Sequence, residues 1–384
     1  MLVRFKVKNF KKFKDELVFD FTKVKKYEFN ENIIKDGILN TALIYGCNGS
    51  GKSNLGFAMF DIIFHTTDNE KIKSFYNNYL YGNGALDNTA KFTYEFRFQG
   101  QTIIYTYCKE NVDEAIEEEL YLNDEKVLYI NRETQEIKLE IEEAISLQLD
   151  NIFDSNLSLL KYVFSNVLFD KNSVYYELKN FLERMLWFRS MGGANNYIGY
   201  KADTNSITND ILDISKANKD ENIIKKNLKE FQSFLEEAGI NLILSSRELE
   251  GIRVMEVEIQ TKDQKKKRYL EFFQIASSGT VALAVFYGWY KKMEDLRFVF
   301  IDEFDAFYHY KLSKTIIKKL KEKNNIQFVL TTHATNLMDN ELLRPDAYFI
   351  LKNNAIKSLP ELTDRELREA HNIEKLFKSG AFDE

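Results

Sequence analysis

Alternation of apolar and polar residues at the start of the chain predicts two β-strands. The segments LVRFKVKNF (2–10) and ELVFDF (16–21) alternate in this way, and a lysine-rich turn separates them. The apolar run TALIYG (41–46) predicts a buried strand, and the amphipathic run that follows Lys52 predicts a helix. The first part of the chain is therefore expected to place a strand, a short loop and a helix in direct succession.

A second stretch of alternation predicts an antiparallel sheet. Residues 91–108 are expected to form a hairpin that turns at Gln99 and Gly100. The segment from 117 to 141 continues the alternation and extends the hairpin into a meander. We expect this sheet to flank the buried strand and the helix that follows it.

The second half of the chain changes from a helical pattern to a mixed one. From about 140 to 238 the pattern is helical, with Asn-, Asp- and Ser-rich breaks. Strands are then expected in GIRVMEVEIQ (251–260) and RYLEFFQI (268–275), and beyond them helix and strand alternate as in a parallel α/β layer. The alternating elements are helices at 280–294 and 311–323 and strands at 297–301, 326–331 and 347–351.

These patterns divide the chain into three expected units and give a fold class. The units are an N-terminal lobe with the antiparallel meander (1–139), a helical insertion (140–238) and a C-terminal lobe (239–384). The expected class is α/β with a mixed or parallel sheet. With 384 residues, 44% of them apolar, the chain can bury a large core.

Net charge, cysteine content and hydropathy indicate which binding partners and which cellular compartment to expect. The chain has 53 Lys and Arg against 59 Asp and Glu, so a net charge of −6 does not by itself indicate nucleic acid or an anionic membrane. Cys47 and Cys108 are the 2 cysteines, and the longest strongly apolar stretch (281–290) is about half as long as a membrane span. We expect a cytoplasmic, reduced and soluble protein that does not contact a membrane.

The loop predicted between the buried strand and the helix matches a phosphate-binding motif. Its sequence, GCNGSGKS, fits the pattern G-x-x-x-x-G-K-[ST], in which backbone N–H groups and a helix N-terminus surround phosphates. Lys52 is expected to meet the β- and γ-phosphates, and Ser53 to bind Mg²⁺. The alternative is a flexible glycine turn, which the strand–loop–helix context disfavours. The residues expected to bind the nucleotide here are Gly46, Asn48, Gly49, Ser50, Gly51, Lys52, Ser53 and Asn54.

A nucleotide site of this type also needs a carboxylate that organises the metal. The segment LRFVFIDEFD supplies one, because four apolar residues (298–301) precede Asp302 and Glu303. Asp302 is expected to hold Mg²⁺ through its water shell, and Glu303 to orient or deprotonate the attacking water. Since the same pattern also ends many ordinary strands, its weight depends on the other motifs.

Two further segments supply groups that suit a phosphate. Ser277, Ser278 and Gly279 begin the predicted helix of IASSGTVALAVF, a geometry that suits a phosphate and equally a plain helix cap. His333 follows the buried strand of FVLTTHATNL and is expected near the γ-phosphate, although a lone histidine is more often structural. His309 also follows a predicted parallel strand, where α/β sheets hold their ligands.

The ordered set GCNGSGKS, SSGT, FVFIDE and TTHATNL resembles an ATP-binding-cassette head of the SMC, RecF and OLD type. More closely, VKNFKKFKDELVFDF, DEFDAFYHY and TTHATNLMD resemble short bacterial AAA-type ATPases of abortive-infection and phage-defence loci, relatives of OLD and AbiL-type proteins. The specific likeness covers 1–65 and 240–384, and it departs at Tyr310, where relatives carry proline. Gln99 and Gln101 are candidates for the family's glutamine loop, but a hairpin tip matches it poorly and neither is assigned.

The resemblance implies an α/β ABC-type P-loop ATPase head with a flanking antiparallel meander and a helical insertion. In this class two heads enclose ATP and Mg²⁺ between them. Ser277, Ser278 and Gly279 of one chain would complete a site in which Glu303 and His333 of the other are catalytic. A homodimer or a higher even oligomer that closes on ATP and reopens after hydrolysis is therefore implied.

An acidic run, a basic segment and two tryptophans could each have a functional role, but each also has a purely structural interpretation. The acidic run DEAIEEEL (113–120) suggests a metal cluster, but a solvated face is the favoured interpretation. The basic segment KKKR (265–268), together with the lysines of the first turn, would suit a nucleic-acid backbone, and a solvated turn is an equal alternative. Trp187 and Trp289 lie in apolar helical patterns and are expected in the core.

Three functions of different class stay open. The favoured one is an ATPase that senses infection and controls a separately encoded nuclease or toxin, with nucleic acid or a phage component as a candidate trigger. The second is a DNA-repair or chromosome-associated ATPase, which the lack of a long coiled coil disfavours. The third is a nucleotide-dependent scaffold with little turnover, which the presence of Glu303 disfavours.

Overall fold

A computed structural model describes residues 1–67, 76–84, 87–190, 197–201, 221–249, 252–260, 267–306 and 308–383. The strands, numbered in chain order, are β1 (Leu2–Lys8), β2 (Leu17–Asp20), β3 (Ile34–Lys35), β4 (Ile38–Leu39), β5 (Thr41–Tyr45), β6 (Ala90–Phe98), β7 (Gln101–Lys109), β8 (Ala115–Leu122), β9 (Glu125–Asn131), β10 (Glu136–Leu139), β11 (Met185–Ser190), β12 (Tyr197–Lys201), β13 (Leu244–Leu249), β14 (Ile252–Gln260), β15 (Lys267–Glu271), β16 (Phe298–Asp302), β17 (Gln327–Thr332), β18 (Tyr348–Lys352) and β19 (Ala355–Ser358). The helices are α1 (Lys52–Thr66), α2 (Leu159–Asn166), α3 (Val174–Glu183), α4 (Glu221–Glu237), α5 (Phe272–Ile275), α6 (Ser278–Lys292), α7 (Tyr310–Lys321) and α8 (Ile373–Lys378).

A mixed central sheet carries the candidate site. Its strand order is β12-β11-β16-β17-β5-β18-β19. The five inner strands run parallel to their neighbours, and the two edge strands are antiparallel. Strands β5, β16 and β17 are buried along their whole length, as expected for parallel strands covered on both faces. Their carboxyl ends meet at one edge of the sheet, where ligands of α/β proteins bind.

A second large sheet is antiparallel and has the order β10-β9-β8-β7-β6-β1-β2. The hairpin predicted at Gln99 and Gly100 joins β6 to β7, and both residues have positive φ, 52° and 80°. The meander then continues through β8, β9 and β10 as the alternation predicted. The α/β class, the mixed sheet and the flanking meander are thus confirmed.

Helix α1 is buried on most sides because it contacts both large sheets. A Cβ atom built on Gly56 would lie 2.7 Å from Trp187 Nε1 of β11, so the helix lies close against the central sheet. On its other side, Tyr94 Oη of β6 donates a hydrogen bond of 2.8 Å to the carbonyl of Ala58. The helix that follows the glycine loop is therefore fixed between the two sheets.

The segment 140–238 is not wholly helical, which corrects the expectation from the sequence. Helices α2, α3 and α4 lie within it, but so do β11 and β12, and β11 pairs in parallel with β16. The run MLWF at 185–188 follows α3 with no glycine or proline between them. Periodicity alone does not separate a short buried strand from a buried helix, so the strand was missed. The division at 139 and 238 stays a prediction.

Smaller differences from the sequence prediction concern the last third of the chain. Strand β13 was not predicted; it joins β14 and β15 in a three-stranded sheet. The segment RYLEFFQI is strand only to Glu271 and continues as the short helix α5. Trp187 and Trp289 are buried as expected, but Trp187 lies in a strand rather than a helix. No helix in the described ranges is both long enough and apolar enough to cross a membrane.

Candidate nucleotide site

The glycine loop runs from the end of β5 to the start of α1. Gly49 and Gly51 have φ of 73° and 110°, a region that favours glycine. Gly46 has no room for a side chain, since a Cβ atom there would lie 2.5 Å from Ser50 Oγ and 2.7 Å from the Leu351 carbonyl oxygen. The motif glycines are thus required by the shape of the loop.

The remaining motif residues lie in the loop and in the first turn of α1. Asn48 is exposed in the loop, and Ser53 and Asn54 lie half-buried in the first turn of α1. Ser50 Oγ is buried and makes no hydrogen bond to any described residue. The free N–H groups of a helix N-terminus and an unpartnered hydroxyl suit the oxygens of a phosphate.

Lys52 is buried and is held by the loop itself. Its Nζ donates hydrogen bonds to the carbonyl oxygens of Gly46, at 2.7 Å, and Cys47, at 3.2 Å. Burial lowers the pKa of the Lys52 ammonium below its ordinary value, while Asp302 and Glu303 act in the opposite direction. A bound phosphate would therefore accept hydrogen bonds that the Lys52 ammonium now donates to the carbonyls of Gly46 and Cys47.

The turn between β1 and β2 covers the glycine loop. Lys12 Nζ donates a hydrogen bond to the carbonyl of Gly49. The ring of Phe13 lies close to Gly51, where its Cε1 would be 3.2 Å from a built Cβ. Two residues of the lysine turn thus contact the loop, although the sequence connected this turn only with nucleic acid.

Asp302 and Glu303 lie at the carboxyl end of β16, two strands from the glycine loop. Thr331 Oγ1, on the intervening strand β17, donates to Asp302 Oδ1 at 2.7 Å and accepts from the Glu303 N–H at 2.8 Å. Glu303 has φ of 51°, a left-handed conformation that is uncommon for a residue with a side chain. One threonine therefore fixes the two carboxylate residues relative to each other.

Arg189 is a member of this site that the sequence analysis missed. It lies on β11 opposite Asp302 in the register of the sheet. Its Nε is 3.5 Å from Asp302 Oδ2, and its Nη2 is 3.5 Å from Glu303 Oε1. The only signal in the sequence is an arginine after an apolar run, in a segment whose pattern predicts a helix.

His333 follows β17 and lines a cavity of about 760 Å³ beside the glycine loop. Cys47 and Asn48 also line this cavity. The residue before His333 also makes a side-chain contact, since Thr332 Oγ1 donates a hydrogen bond of 2.7 Å to Asp305 Oδ2. Burial raises the pKa of Asp305, although the hydrogen bond from Thr332 and the nearby His333 partly offset it. The histidine thus lies beside the glycine loop, and its contact with the γ-phosphate stays a prediction.

The segment SSGT caps α6, as predicted, but lies outside this cavity. Ser277 is the N-cap residue, and its Oγ accepts a hydrogen bond of 3.2 Å from the Thr280 N–H. Ser277 and Ser278 are exposed and Gly279 is half-exposed. None of these three is among the described residues that line the cavity, and neither are Lys52, Ser53, Asp302 and Glu303. His309, exposed at the start of α7, is likewise absent from that lining.

The other candidates of the sequence analysis lie elsewhere. Gln99 and Gln101 lie at the β6–β7 hairpin and not in the lining of the cavity. Lys265 and Lys266 of the basic segment lie outside the described residues. No group of three or more side chains suited to hold a metal is found among the described residues, which include the acidic run 113–120.

The acidic run is not simply a solvated face, because Glu118 is fully buried. Its carboxylate accepts hydrogen bonds from Ser158 Oγ at 2.8 Å and Tyr105 Oη at 2.9 Å. His65 Nε2 and Arg132 Nη1 lie 3.5 and 3.4 Å from its oxygens. Burial opposes ionisation of Glu118, but these partners outweigh it and lower its pKa from 4.5 to about 2. Glu118 is therefore a structural carboxylate between α1 and the meander.

The residues at this sheet edge fit a nucleotide with a bound cation. Ser50 Oγ and Asp302 Oδ2 are buried oxygens without a hydrogen-bond partner among the described residues. Lys52 supplies a cation, and carboxylate, hydroxyl and water oxygens are the ligands that Mg²⁺ prefers. ATP and Mg²⁺ would thus meet groups of the required chemistry.

The strand, glycine loop and helix, with the carboxylates on a nearby parallel strand, define an α/β P-loop protein of the nucleotide-binding class. The chain belongs to the family described as "AAA domain, putative AbiEii toxin, Type IV TA system", whose model matches residues 42–339. This match confirms the resemblance to AAA-type proteins drawn from the sequence motifs. No curated protein matches the chain.

Several solved structures are similar to the chain. The SMC head domain from Thermotoga maritima is 16% identical, with 93% of this chain and 97% of that chain covered and a TM-score of 0.42. An SMC head with an extended coiled coil, bound to the C-terminal domain of ScpA and derived from Pyrococcus furiosus, is 15% identical, with 94% and 97% covered and a TM-score of 0.43. An SmcHead bound to the C-winged helix domain of ScpA is 14% identical, with 94% and 98% covered and a TM-score of 0.45.

Proposed function

We propose that this protein binds ATP with Mg²⁺, hydrolyses it, and uses the cycle to control a separately encoded effector in bacterial anti-phage defence. The observation that carries the ATPase proposal is the meeting of the glycine loop and the Asp302–Glu303 pair at one edge of the central sheet. The family membership supports it. We place this cycle in the cytoplasm.

Each residue of the site has a proposed role in nucleotide binding or hydrolysis that follows from its side-chain chemistry. The loop from Gly46 to Ser53, with Asn54 behind it, would surround the phosphates with N–H groups, and Lys52 would neutralise them. Ser53 and Asp302 would hold Mg²⁺, which when bound neutralises charge on the phosphates. Glu303 would accept a proton from the attacking water, and His333 would contact the terminal phosphate.

A two-chain site is supported by the position of the SSGT segment. Ser277 lies at an exposed helix N-terminus, where a second chain could reach it. In a dimer, Ser277, Ser278 and Gly279 of the second chain would face the phosphates bound by the first. ATP would then bring two chains together, and hydrolysis would let them separate.

The role in defence rests on the family. The family description, which names a putative toxin of a type IV toxin–antitoxin system, links the chain to systems of this kind. We propose in addition that ATP-dependent closure is transmitted to a separate nuclease or toxin. A phage component or nucleic acid would be the trigger. Affinity purification of the tagged chain from its native cells before and after phage infection tests this. Recovery of a nuclease or toxin supports the proposal, whereas recovery of only DNA-repair or chromosome proteins contradicts it.

The ATPase proposal is tested with two substitutions. Lys52→Ala should abolish ATP binding, because the phosphates lose their main cation. Glu303→Gln should still bind ATP while its turnover falls about 10²-fold, as loss of a general base does. Isothermal titration with ATP and Mg²⁺ and a phosphate-release assay measure the two effects. Unchanged affinity in Lys52→Ala, or wild-type turnover in Glu303→Gln, would refute the assignment.

The two-chain site is tested by mixing variants. Ser277→Arg should bind ATP but should neither dimerise with ATP nor hydrolyse it, since the large side chain would occupy the space for the γ-phosphate. Mixed with Lys52→Ala, it should regain activity from at most one composite site per heterodimer. Sedimentation and ATPase rates of each variant and of the mixture measure this. Wild-type hydrolysis by Ser277→Arg alone would show a self-contained site.

A further inference from the structure

Arg189 occupies a position from which it reaches both carboxylates of the candidate site. It is the fifth residue of β11, and the sheet register pairs it with Asp302, the last residue of β16. Because the two strands are parallel, their carboxyl ends lie side by side. The arginine is thus fixed beside the carboxylates by the backbone pairing of the central sheet.

The contacts of Arg189 divide between the two carboxylates. Nε is 3.5 Å from Asp302 Oδ2, and Nη2 is 3.5 Å from Glu303 Oε1. The Asp302 side chain is 0% exposed and that of Arg189 is 27% exposed. In such surroundings a close charge pair is screened less than at an open surface.

Asp302 uses only one of its two oxygens in hydrogen bonding. Oδ1 accepts from Thr331 Oγ1, whereas Oδ2 makes no hydrogen bond to a described residue. Arg189 Nε, which faces Oδ2, is also buried without a hydrogen bond. The distance of 3.5 Å thus gives charge attraction without the shorter contact of a charge-assisted hydrogen bond. The oxygen can therefore be released without breaking one.

The other nearby ammonium is already engaged. Lys52 Nζ donates to two loop carbonyls, so its contacts in this structure are with the glycine loop. Arg189 is the cation within 4 Å of Asp302 and Glu303 among the described residues. It is consequently the cation in direct contact with this pair of negative charges, which also attract the Lys52 ammonium.

A guanidinium and a metal ion compete for the same oxygen. Arginine has only donors and no lone pair, so it does not ligate a cation and repels one nearby. Oδ1 of Asp302 already accepts a hydrogen bond from Thr331, so Oδ2, which Arg189 Nε faces, is the oxygen with both lone-pair positions open to a divalent cation or its water. The empty and the metal-bound site thus require different positions of Arg189.

We propose that Arg189 is a positioning residue that acts as an electrostatic latch. Without nucleotide it holds Asp302 and Glu303 together in the place of a metal ion, and it leaves Asp302 when Mg²⁺ arrives with the nucleotide. The latch suppresses binding of the metal alone and makes binding of the metal depend on the phosphates. This inference rests on the proposed ATPase function, and it adds a residue that sets the metal requirement.

The latch is tested with Arg189→Met, which removes the charge and keeps an unbranched apolar chain, and Arg189→Lys, which keeps the charge. Arg184→Met is the matched control, since Arg184 precedes the same strand at its opposite end and its loss changes net charge equally. Binding of Mn²⁺ to the nucleotide-free protein is measured by paramagnetic resonance of the free ion. The Mg²⁺ dependence of binding of a fluorescent ATP analogue is measured on the same samples, and circular dichroism confirms folding.

Arg189→Met should bind Mn²⁺ about tenfold more tightly than wild type, as expected when one close repulsive charge is removed. Arg189→Lys and Arg184→Met should stay within about twofold of wild type. The analogue should bind to Arg189→Met at lower Mg²⁺ concentrations. Equal or weaker Mn²⁺ binding by Arg189→Met would overturn the latch, as would tighter binding by Arg184→Met to the same extent.

The two measurements separate failure of the latch from failure of the ATPase proposal. If wild type binds the analogue but Mn²⁺ binding is unchanged in Arg189→Met, the latch is refuted and the ATPase proposal stands. If wild type binds no analogue, the ATPase proposal is refuted. The Mn²⁺ titration then still decides whether Arg189 excludes a cation from Asp302.

Discussion

Asp61 and Lys109 form a buried ion pair that joins the P-loop helix α1 to the antiparallel sheet. Lys109 Nζ lies 3.0 Å from Asp61 Oδ2, and the two side chains are 1% and 0% exposed. The hydroxyls of Tyr79 and Tyr107 also donate to the Asp61 carboxylate, each at 3.0 Å. The carboxylate is thus fully surrounded, and removal of the ammonium alone would leave a buried, uncompensated charge.

We predict that Lys109→Met lowers the free energy of unfolding by about 3–5 kcal/mol, the cost of breaking a buried pair from one side. Unfolding entropy of about 2.1 cal/mol/K per residue gives about 0.8 kcal/mol/K for 384 residues. The melting temperature should therefore fall by about 4–6 °C. Because Asp61 lies on α1, the same change should weaken ATP binding.

The control is the double variant Asp61→Asn with Lys109→Met, which removes both charges and keeps an acceptor for the tyrosine hydroxyls. It should recover at least half of the lost melting temperature, since neutral replacement of a buried pair is often tolerated. Melting is followed by circular dichroism at constant pH. A loss below about 1 °C in Lys109→Met, or a double variant that melts lower than the single one, would refute the reasoning.

Three further predictions concern packing, thiol reactivity and pH. Gly56→Ala should lower the melting temperature by about 1–4 °C, because its Cβ would lie 2.7 Å from Trp187 Nε1 and overpacking costs about 1–3 kcal/mol. At pH 7.5, maleimide should modify exposed Cys47 and spare Cys108, whose thiol pKa burial raises to about 11; mass spectrometry should show that ATP slows the Cys47 reaction. The stabilisation from ionised Glu118 is present above pH 4.5 and is lost towards pH 2, so Glu118→Gln should show a smaller fall in melting temperature across that window than wild type.

The local elements of the candidate site could be predicted because each has its own sequence signal. The glycines of the loop are needed where φ is positive or where a side chain has no room, so the pattern GCNGSGKS carries its geometry with it. The apolar run before Asp302 likewise predicts a buried strand with a carboxylate at its end. Ser277 is a helix cap in the structure as its residue type suggested.

Contacts between distant segments could not be predicted in the same way. The residues of β11 have a pattern that predicts a helix, whereas pairing with β16 makes them a strand and brings Arg189 beside Asp302 and Glu303. The burial of Glu118 does not follow from the sequence for a related reason, since its partners come from four separate parts of the chain. Most Asp and Glu side chains in an acidic run are exposed to solvent. A single member is buried where the fold brings hydrogen-bond donors and cations to its carboxylate.

The sequence by itself determined the first hairpin and meander, the glycine loop with its flanking strand and helix, and the carboxylates that end a buried strand, because backbone conformation and alternation act over a few residues. The tertiary structure decided that β11 lies next to β16, that Arg189 faces Asp302, and that Asp61 on α1 meets Lys109. These contacts join residues that are distant along the chain. They depend on which strands pair and which faces pack, and no local pattern of residues carries that information.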